Sequence, residues 1–257
     1  MTQDEKIDRF IERSFRDVAD ADYIVARICW RRELGHQFFW MALQAVEKYL
    51  KGILLFHRKP VHKLFHDLAQ GLQEVKGLPV IDLTLQPEVE KFLHILDEQG
   101  QNRYFEWNLM LRGQEILLLD ELVWHLRVRC VTTASEVKQR DGKVIWTLQE
   151  HFKKVKNHQS GKDVSHIVIP FGRLEQILSD KPEARKDLVW KNFFFGGRYK
   201  PHIKFRPQVR FESSSVVVYP EIFQELDKLV KFSKKVREHF QPTGKRRAVL
   251  QPMIIRW

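Results

Sequence analysis

Gln44-Ala45-Val46-Glu47-Lys48-Tyr49-Leu50-Lys51-Gly52-Ile53-Leu54-Leu55, followed after a basic loop by His66-Asp67-Leu68, is the stretch of this 257-residue chain that decides its fold. Phe38, Met41, Ala42, Ala45, Tyr49, Ile53 and Phe56 recur at helical spacing and trace one apolar stripe, which predicts a long buried helix. Gln44, Glu47, Lys48 and Lys51 fall on its other faces. Pro60 forces a break, because it lacks an N–H and its ring collides with the preceding turn. Asp67 then heads a second periodic stretch, Leu68, Leu72 and Val75, where its carboxylate can accept from the unpaired N–H groups of a first helical turn.

Working outward, Ile7, Phe10, Ile11, Val18, Ala21, Val25 and Ile28 trace a long first helix, with Gly35 as its natural end point. Pro87 suits the first turn of a fourth helix carrying Val89, Phe92, Leu93 and Leu96, and Gly100 stops it. Asn108 is a candidate cap for a fifth, through Ile116, Leu119, Leu122, Val123 and Leu126. Helices at this spacing with short connections imply a mainly α protein whose residues 1–135 form an up-and-down helical bundle. From about Asp141 the pattern changes: β-branched and aromatic words at 143–148, 164–171 and 215–219 stand between Gly- and Pro-bearing turns. Residues 136–257 are therefore expected to form a second, basic α+β unit. Within it Pro220 is predicted to start one amphipathic helix, with Ile222, Phe223, Leu226, Leu229, Val230 and Val236 on one side and Lys228, Lys231, Lys234 and Lys235 on the other.

The order of these words resembles the HEPN domain, the nucleotide-binding helical family of higher eukaryotes and prokaryotes. A first helix with Asp17, Ala21, Asp22 and Tyr23 precedes the Gln-Ala-Val-Glu-Lys helix and the His-Asp-Leu step, and Arg103-Tyr104 follows a further helix; the likeness covers the first half of the chain. The resemblance implies a helical homodimer that either binds nucleotide or RNA without catalysis or acts as a metal-independent ribonuclease in toxin–antitoxin or defence systems. The family's ribonuclease motif is an arginine with a histidine about four to six positions on, acting as proton donor or acceptor. Here Tyr104 follows Arg103, and Asn108 stands where the histidine would be. An amide hydrogen-bonds but exchanges no proton near neutral pH, so the expected member is a non-catalytic binder. Arg31 and His36 have a fitting spacing but lie at the junction of the first two helices. They remain, with Arg103, the candidates if the protein is an enzyme.

The net charge of +11 is unevenly placed. Residues 1–135 hold 18 Lys+Arg and 20 Asp+Glu, a net −2; residues 136–257 hold 26 and 13, a net +13. A field of that size concentrates polyanions and favours RNA or nucleotide as partner, the bland alternative being an acidic protein surface and a helical interaction scaffold. Lys48 and Lys51 are neighbours on one helical face and can meet a phosphate, Arg103 can add a planar fork, and His66 and Asp67 can line the same groove. Between Asn192 and Phe211, basic residues Arg198, Lys200, Lys204, Arg206 and Arg210 alternate with aromatic ones, as single-stranded binding requires, with Phe193, Phe194 and Phe195 expected mostly in the core. His57, His62 and His66 straddle Pro60 without an acidic third ligand, so no metal and no cofactor is expected. Cys29 and Cys130 read as buried hydrophobes, and with no secretory signal or spanning segment the expected location is the cytoplasm. Phosphate-cradling loops, dinucleotide fingerprints and nucleophile elbows are not found.

Overall fold

The computed structural model describes residues 2–62, 64, 67–102, 104–139, 141–159, 167–180, 183–195 and 209–240. Thr2 and Glu5 cap α1 (Gln3–Ile11) reciprocally, each side chain accepting from the other's backbone N–H. A π-turn, Glu12–Arg16, joins α1 to α2 (Asp17–Arg31), so the long first helix is present with one bulge. Then come α3 (Gly35–Phe56), α4 (Leu68–Lys76), α5 (Pro87–Gly100) and α6 (Glu115–Arg127). Helix α3 is the axis of the bundle, with α2, α4, α5 and α6 all packed on it. The predicted stripe is buried apart from half-buried Met41, and Phe39, Leu43, Val46, Leu50 and Leu54 are buried too, so α3 meets neighbours nearly all round. Asp67 caps α4, accepting from the Gln70 N–H at 2.8 Å, and Pro87 sits in the first turn of α5. Cys29 and Cys130 are free and buried.

The remaining described elements are short: β1 (Leu109–Leu111), β2 (Glu136–Lys138), β3 (Val144–Thr147), α7 (Leu148–Gln159), α8 (Arg173–Asp180), α9 (Glu183–Val189), β4 (Arg210–Glu212), α10 (Ser215–Val218), α11 (Phe223–Leu229) and α12 (Lys234–Phe240). Strand β1 pairs antiparallel with β4, and β2 with β3. The protein is mainly α, and one apolar core runs across position 135: Val155, Ile167, Leu174, Ile177, Leu188 and Phe195 belong to the same cluster as the α3 stripe. Among the described residues no helix is long and apolar enough to cross a membrane.

Several expectations are corrected. Gly35 opens α3 and does not end the first helix; Glu33, at φ 65°, makes the reversal, and Gly35 lies close against β1, where an added Cβ would stand 2.7 Å from the end of the Leu109 side chain. The first-helix stripe is only partly buried: Ile11 is in the core and Ile28 packs against it, but its other members face out. Ile7, Phe10 (60% exposed), Val18, Ala21 and Val25 are exposed, while Ile11, Ala19, Tyr23 and Ala26 turn inward beside buried Arg16, Asp20 and Arg27. Asn108 caps no helix, since β1 intervenes and its side chain accepts from the Ser214 N–H; Gln114 precedes α6. Of the predicted strands, 144–147 forms, 167–171 is irregular, and 215–218 is a helical turn following Ser214. The single helix from Pro220 is split into a 3-10 turn, α11 and α12 by extended Val230, leaving Leu229 81% exposed. Of the three phenylalanines, Phe195 is buried, Phe194 half-buried and Phe193 exposed.

Close approach of α5 to α3 rests on Gly100, where an added Cβ would lie 2.6 Å from Leu43 Cβ, an atom fixed to its own backbone. Gly100→Ala is expected to destabilise the fold by about 1–3 kcal/mol despite alanine's better helix propensity, read as a lower urea midpoint with unchanged slope.

Candidate functional site

The predicted phosphate-binding lysines of α3 are already held by acids. Lys48 donates to Asp22 of α2 at 2.6 Å and to Gln44 at 3.0 Å, while Lys51 bridges to Glu47 one turn back on its own helix. Lys51, Glu47 and Asp67 do converge, lining a niche with Leu50, Leu64 and Gly71 whose cavity is about 10 Å³. That is room for roughly one water. Arg31 pairs with Asp187 near α9's end, and its guanidinium lies over the Trp190 ring. Arg210 pairs with Glu33 in the turn before α3. The His36 ring meets Phe105 edge-on at 4.4 Å, with Nε2 3.4 Å from a Glu212 carboxylate oxygen. His66, Arg103, Arg198, Lys200, Lys204 and Arg206 lie outside the described residues.

The most highly organised polar chemistry is a buried network. Arg127 of α6 forks onto Asp20 of α2, with Nε to Oδ1 at 2.8 Å and a second nitrogen to Oδ2 at 3.0 Å. It also forks onto Glu175 of α8, at 2.9 and 2.6 Å. Asp20 additionally accepts from the Tyr49 hydroxyl of α3 and the Leu174 N–H. In the second half Arg27 of α2 donates to Asp120 of α6 and to the carbonyls of Asp187 and Trp190, and Tyr23 donates to Asp120 at 2.5 Å while accepting from Asn192 at 2.9 Å. Asp20, Arg27, Asp120 and Arg127 are essentially inaccessible to water. Desolvation would lower the Arg127 pKa, but Asp20 and Glu175 beside it raise it well above the ordinary arginine value. Glu175 is pushed up by burial and pulled down further by Arg127, ending below its usual 4.5. Burial raises Asp120 in spite of Arg27. Sealed from solvent and paired except at Asp120 Oδ2, which is buried without a hydrogen-bond partner, this network positions helices.

Sequence reading missed it, although a signal existed. Asp20 and Arg27 are seven apart, as are Asp120 and Arg127, and a two-turn spacing puts each pair on one helical face. In both helices that face is the inner one.

Among the cations open to solvent are three lysines of α7, with others such as Arg13, Arg32, Arg173 and Lys231 scattered elsewhere. Lys153, Lys154 and Lys156 are exposed and form no ion pair with a described residue, while Val155 anchors the helix in the core. Behind them His151 is bound through Nε2 to the Val128 carbonyl at 2.6 Å, and His158 stacks near Trp124 and Phe194.

Buried imidazoles make stability pH-dependent. Burial first, then the charges of Arg129 and His158, lower His125 from 6.5 to about 4, and burial lowers His151 as well. A depressed histidine stays neutral in the fold but takes a proton in the unfolded chain, so its contribution is intact above pH 6.5 and is lost as pH falls toward 4. Between pH 7 and 4.5 the wild type is expected to lose stability, and His125→Asn to lose about 2 kcal/mol less, measured by urea unfolding at each pH. Comparison of the chain with protein-family models, curated proteins and solved structures found no match.

Proposed function

We propose that this chain is a HEPN-like, non-catalytic homodimer that binds RNA or nucleotide through phosphate contacts made by the basic part of the chain. One observation carries the reading: the exposed, unneutralised lysine run of α7, Lys153, Lys154 and Lys156, within a C-terminal portion of net charge +13. Lysine ammonium groups that face water surrender only counterion and solvent contacts when they meet a phosphate, and release of condensed counterions from the nucleic acid drives the association. Arg198, Lys200, Lys204 and Arg206 extend the same charge along the sequence. Lys48, held by Asp22, is assigned to holding α2 against α3, and Lys51 is paired within α3 by Glu47.

For the dimer, the exposed stripe of Ile7, Phe10, Val18, Ala21 and Val25 along α1 and α2 supplies an apolar face of helical length. Phe10→Glu is expected to convert a dimer to monomer in analytical ultracentrifugation without loss of helicity; a wild type that sediments as monomer at tens of micromolar would end the dimer part of the proposal.

Binding of labelled single-stranded RNA is expected at low salt, with a slope of log affinity against log salt that falls by about 2 when Lys153, Lys154 and Lys156 are all changed to glutamine. RNA left unbound at low salt would remove the proposal. Uncut RNA after prolonged incubation is the expected companion result, whereas metal-independent cleavage that disappears in His36→Ala would mark the ribonuclease alternative.

A further inference from the structure

Residues 209–240, from β4 to α12, carry an apolar core of their own. Buried Val216, Phe223, Phe232 and Val236 form a cluster separate from that of α3, with Leu226 and Phe240 packed on it. Its rings meet one another, the Phe223 centroid lying 5.3 Å from that of Phe232 and 5.2 Å from that of Phe240. The unit sits on a ledge at 105–111. Strand β1 of the ledge pairs with β4 over three residues, Leu109 opposite Glu212 and Leu111 opposite Arg210. Asn108 Oδ1 accepts from the Ser214 N–H at 2.9 Å, and a Glu106 carboxylate oxygen accepts from the Ser233 N–H at 3.2 Å. The Trp107 ring stacks on Phe240 at 6.3 Å and meets His239 edge-on at 5.3 Å. At the rim Arg210 pairs with Glu33, and Glu212 reaches His36.

These ties are weak beside those within the bundle. A two-stranded ladder is marginal in water, and partly exposed ion pairs add little. Lifting the unit strands no buried charge, because the Glu106 carboxylate and the Asn108 amide then meet water in place of backbone N–H groups. The ledge is also held from its own side: Asn102 Oδ1 accepts from the Glu106 N–H at 2.7 Å and the Trp107 N–H at 3.3 Å, and its Nδ2 donates to the Trp107 carbonyl at 3.0 Å. A segment with a separate core and weak docking contacts opens at a lower free-energy cost than the whole fold. Beneath it lies His36, its ring against Phe105 and its Nε2 buried without a hydrogen bond, 3.4 Å from a Glu212 oxygen.

We propose that residues 209–240 are a cap that lifts from the 105–111 ledge as one unit while the helical bundle stays folded, and that its release opens His36 Nε2 to solvent. Docked, the cap keeps the imidazole between Phe105 and Glu212 with Nε2 shut off from water. Lifted, it leaves that nitrogen able to bond water or a ligand and bares the free edge of β1 and the Trp107 ring. The cap is thus an autoinhibitory contact over the histidine at the start of α3. Neither RNA nor a second copy of the chain is needed for the motion.

Hydrogen exchange of the full chain, read peptide by peptide, tests the cap. In the wild type, protected amides of 210–240 are expected to exchange together and faster than those of α3 and α6. Phe232→Ala, in the core of the cap, is expected to speed exchange of 210–240 by about 100-fold while α3 and α6 keep their wild-type protection. Trp107→Ala, which leaves that core intact and removes the ring it docks on, is expected to act in the same direction. In both variants diethyl pyrocarbonate is expected to modify His36 faster than in the wild type, since the ring spends more time uncovered. Exchange of 210–240 at the rate of α3 in the wild type, or loss of the bundle along with the cap in Phe232→Ala, overturns the proposal, because either shows one cooperative unit. A cap that opens in the variants with no change in His36 modification overturns the masking of the histidine.

Discussion

Two charged pairs cross between α2 and α6 in opposite senses, Asp20 to Arg127 and Arg27 to Asp120, and the packing around them depends on both being made. Each helix carries its aspartate seven residues before its arginine. Only antiparallel helices in one register can satisfy the two pairs together. Moving a buried ion out of water costs several kcal/mol even after relaxation, and only a well-placed counter-ion offsets it. Sliding α6 by one turn, about 5.4 Å, would strand four charges at once. Such pairs add little net stability over a well-packed apolar substitute. Their effect here is to make every other alignment of the same apolar faces expensive, which apolar contacts between Leu-rich helices do not do.

The same side chains reach beyond the bundle. Arg127 continues to Glu175, Arg27 to the carbonyls of Asp187 and Trp190, Tyr23 to Asn192, and Asp20 to the Leu174 N–H. Helices α8 and α9 are thus bound to α2 by the groups that also fix α2 against α6. A chain whose composition changes near position 135 is, around this network, continuous in its packing, and Leu174, Leu188 and Phe195 share the core of α3. A change in charge along a sequence follows what faces water. The polar atoms that join α8 and α9 to the bundle are hidden from such a count because they include backbone carbonyls and a few acids among many basic residues.

What could be read from the sequence was what depends on local rules. The α3 stripe, the Asp67 cap, the Pro87 start and the burial of both cysteines follow from periodicity, side-chain capping and the missing N–H of proline, each confined to a few neighbouring residues. The inner face of α2 was only partly legible because it carries Asp20, Arg27 and Tyr23 beside Ile28, while Val18 and Val25 of α2, like Ile7 and Phe10 of α1, face out. A rule that sends charge outward fails where a charge has its partner in another helix, 93 or 107 residues away. The valines of 215–218 favoured a strand, but a strand needs a neighbour on which to pair, and β4 had already found β1. At the candidate site the basic residue types were identified from sequence, yet their neutralisation was not. Lys48 meets Asp22 from a different helix, and that contact is a product of the fold.

This neutralisation also decides which cations can serve a phosphate. Lys48 at 2.6 Å from Asp22 must give up a charge-assisted bond before it can make another, so the exchange returns close to nothing and leaves Asp22 beside an approaching anion. Lys51 faces the same exchange with Glu47, in a niche the size of one water. An exposed lysine without such a partner surrenders only hydration and mobile ions, so each contact it makes adds to binding and to the salt dependence. By that comparison α3, the helix whose sequence most suggests a ligand, has Lys48 tied to α2 and Lys51 tied to its own Glu47, and α7, whose sequence stands out far less, keeps Lys153, Lys154 and Lys156 available in water.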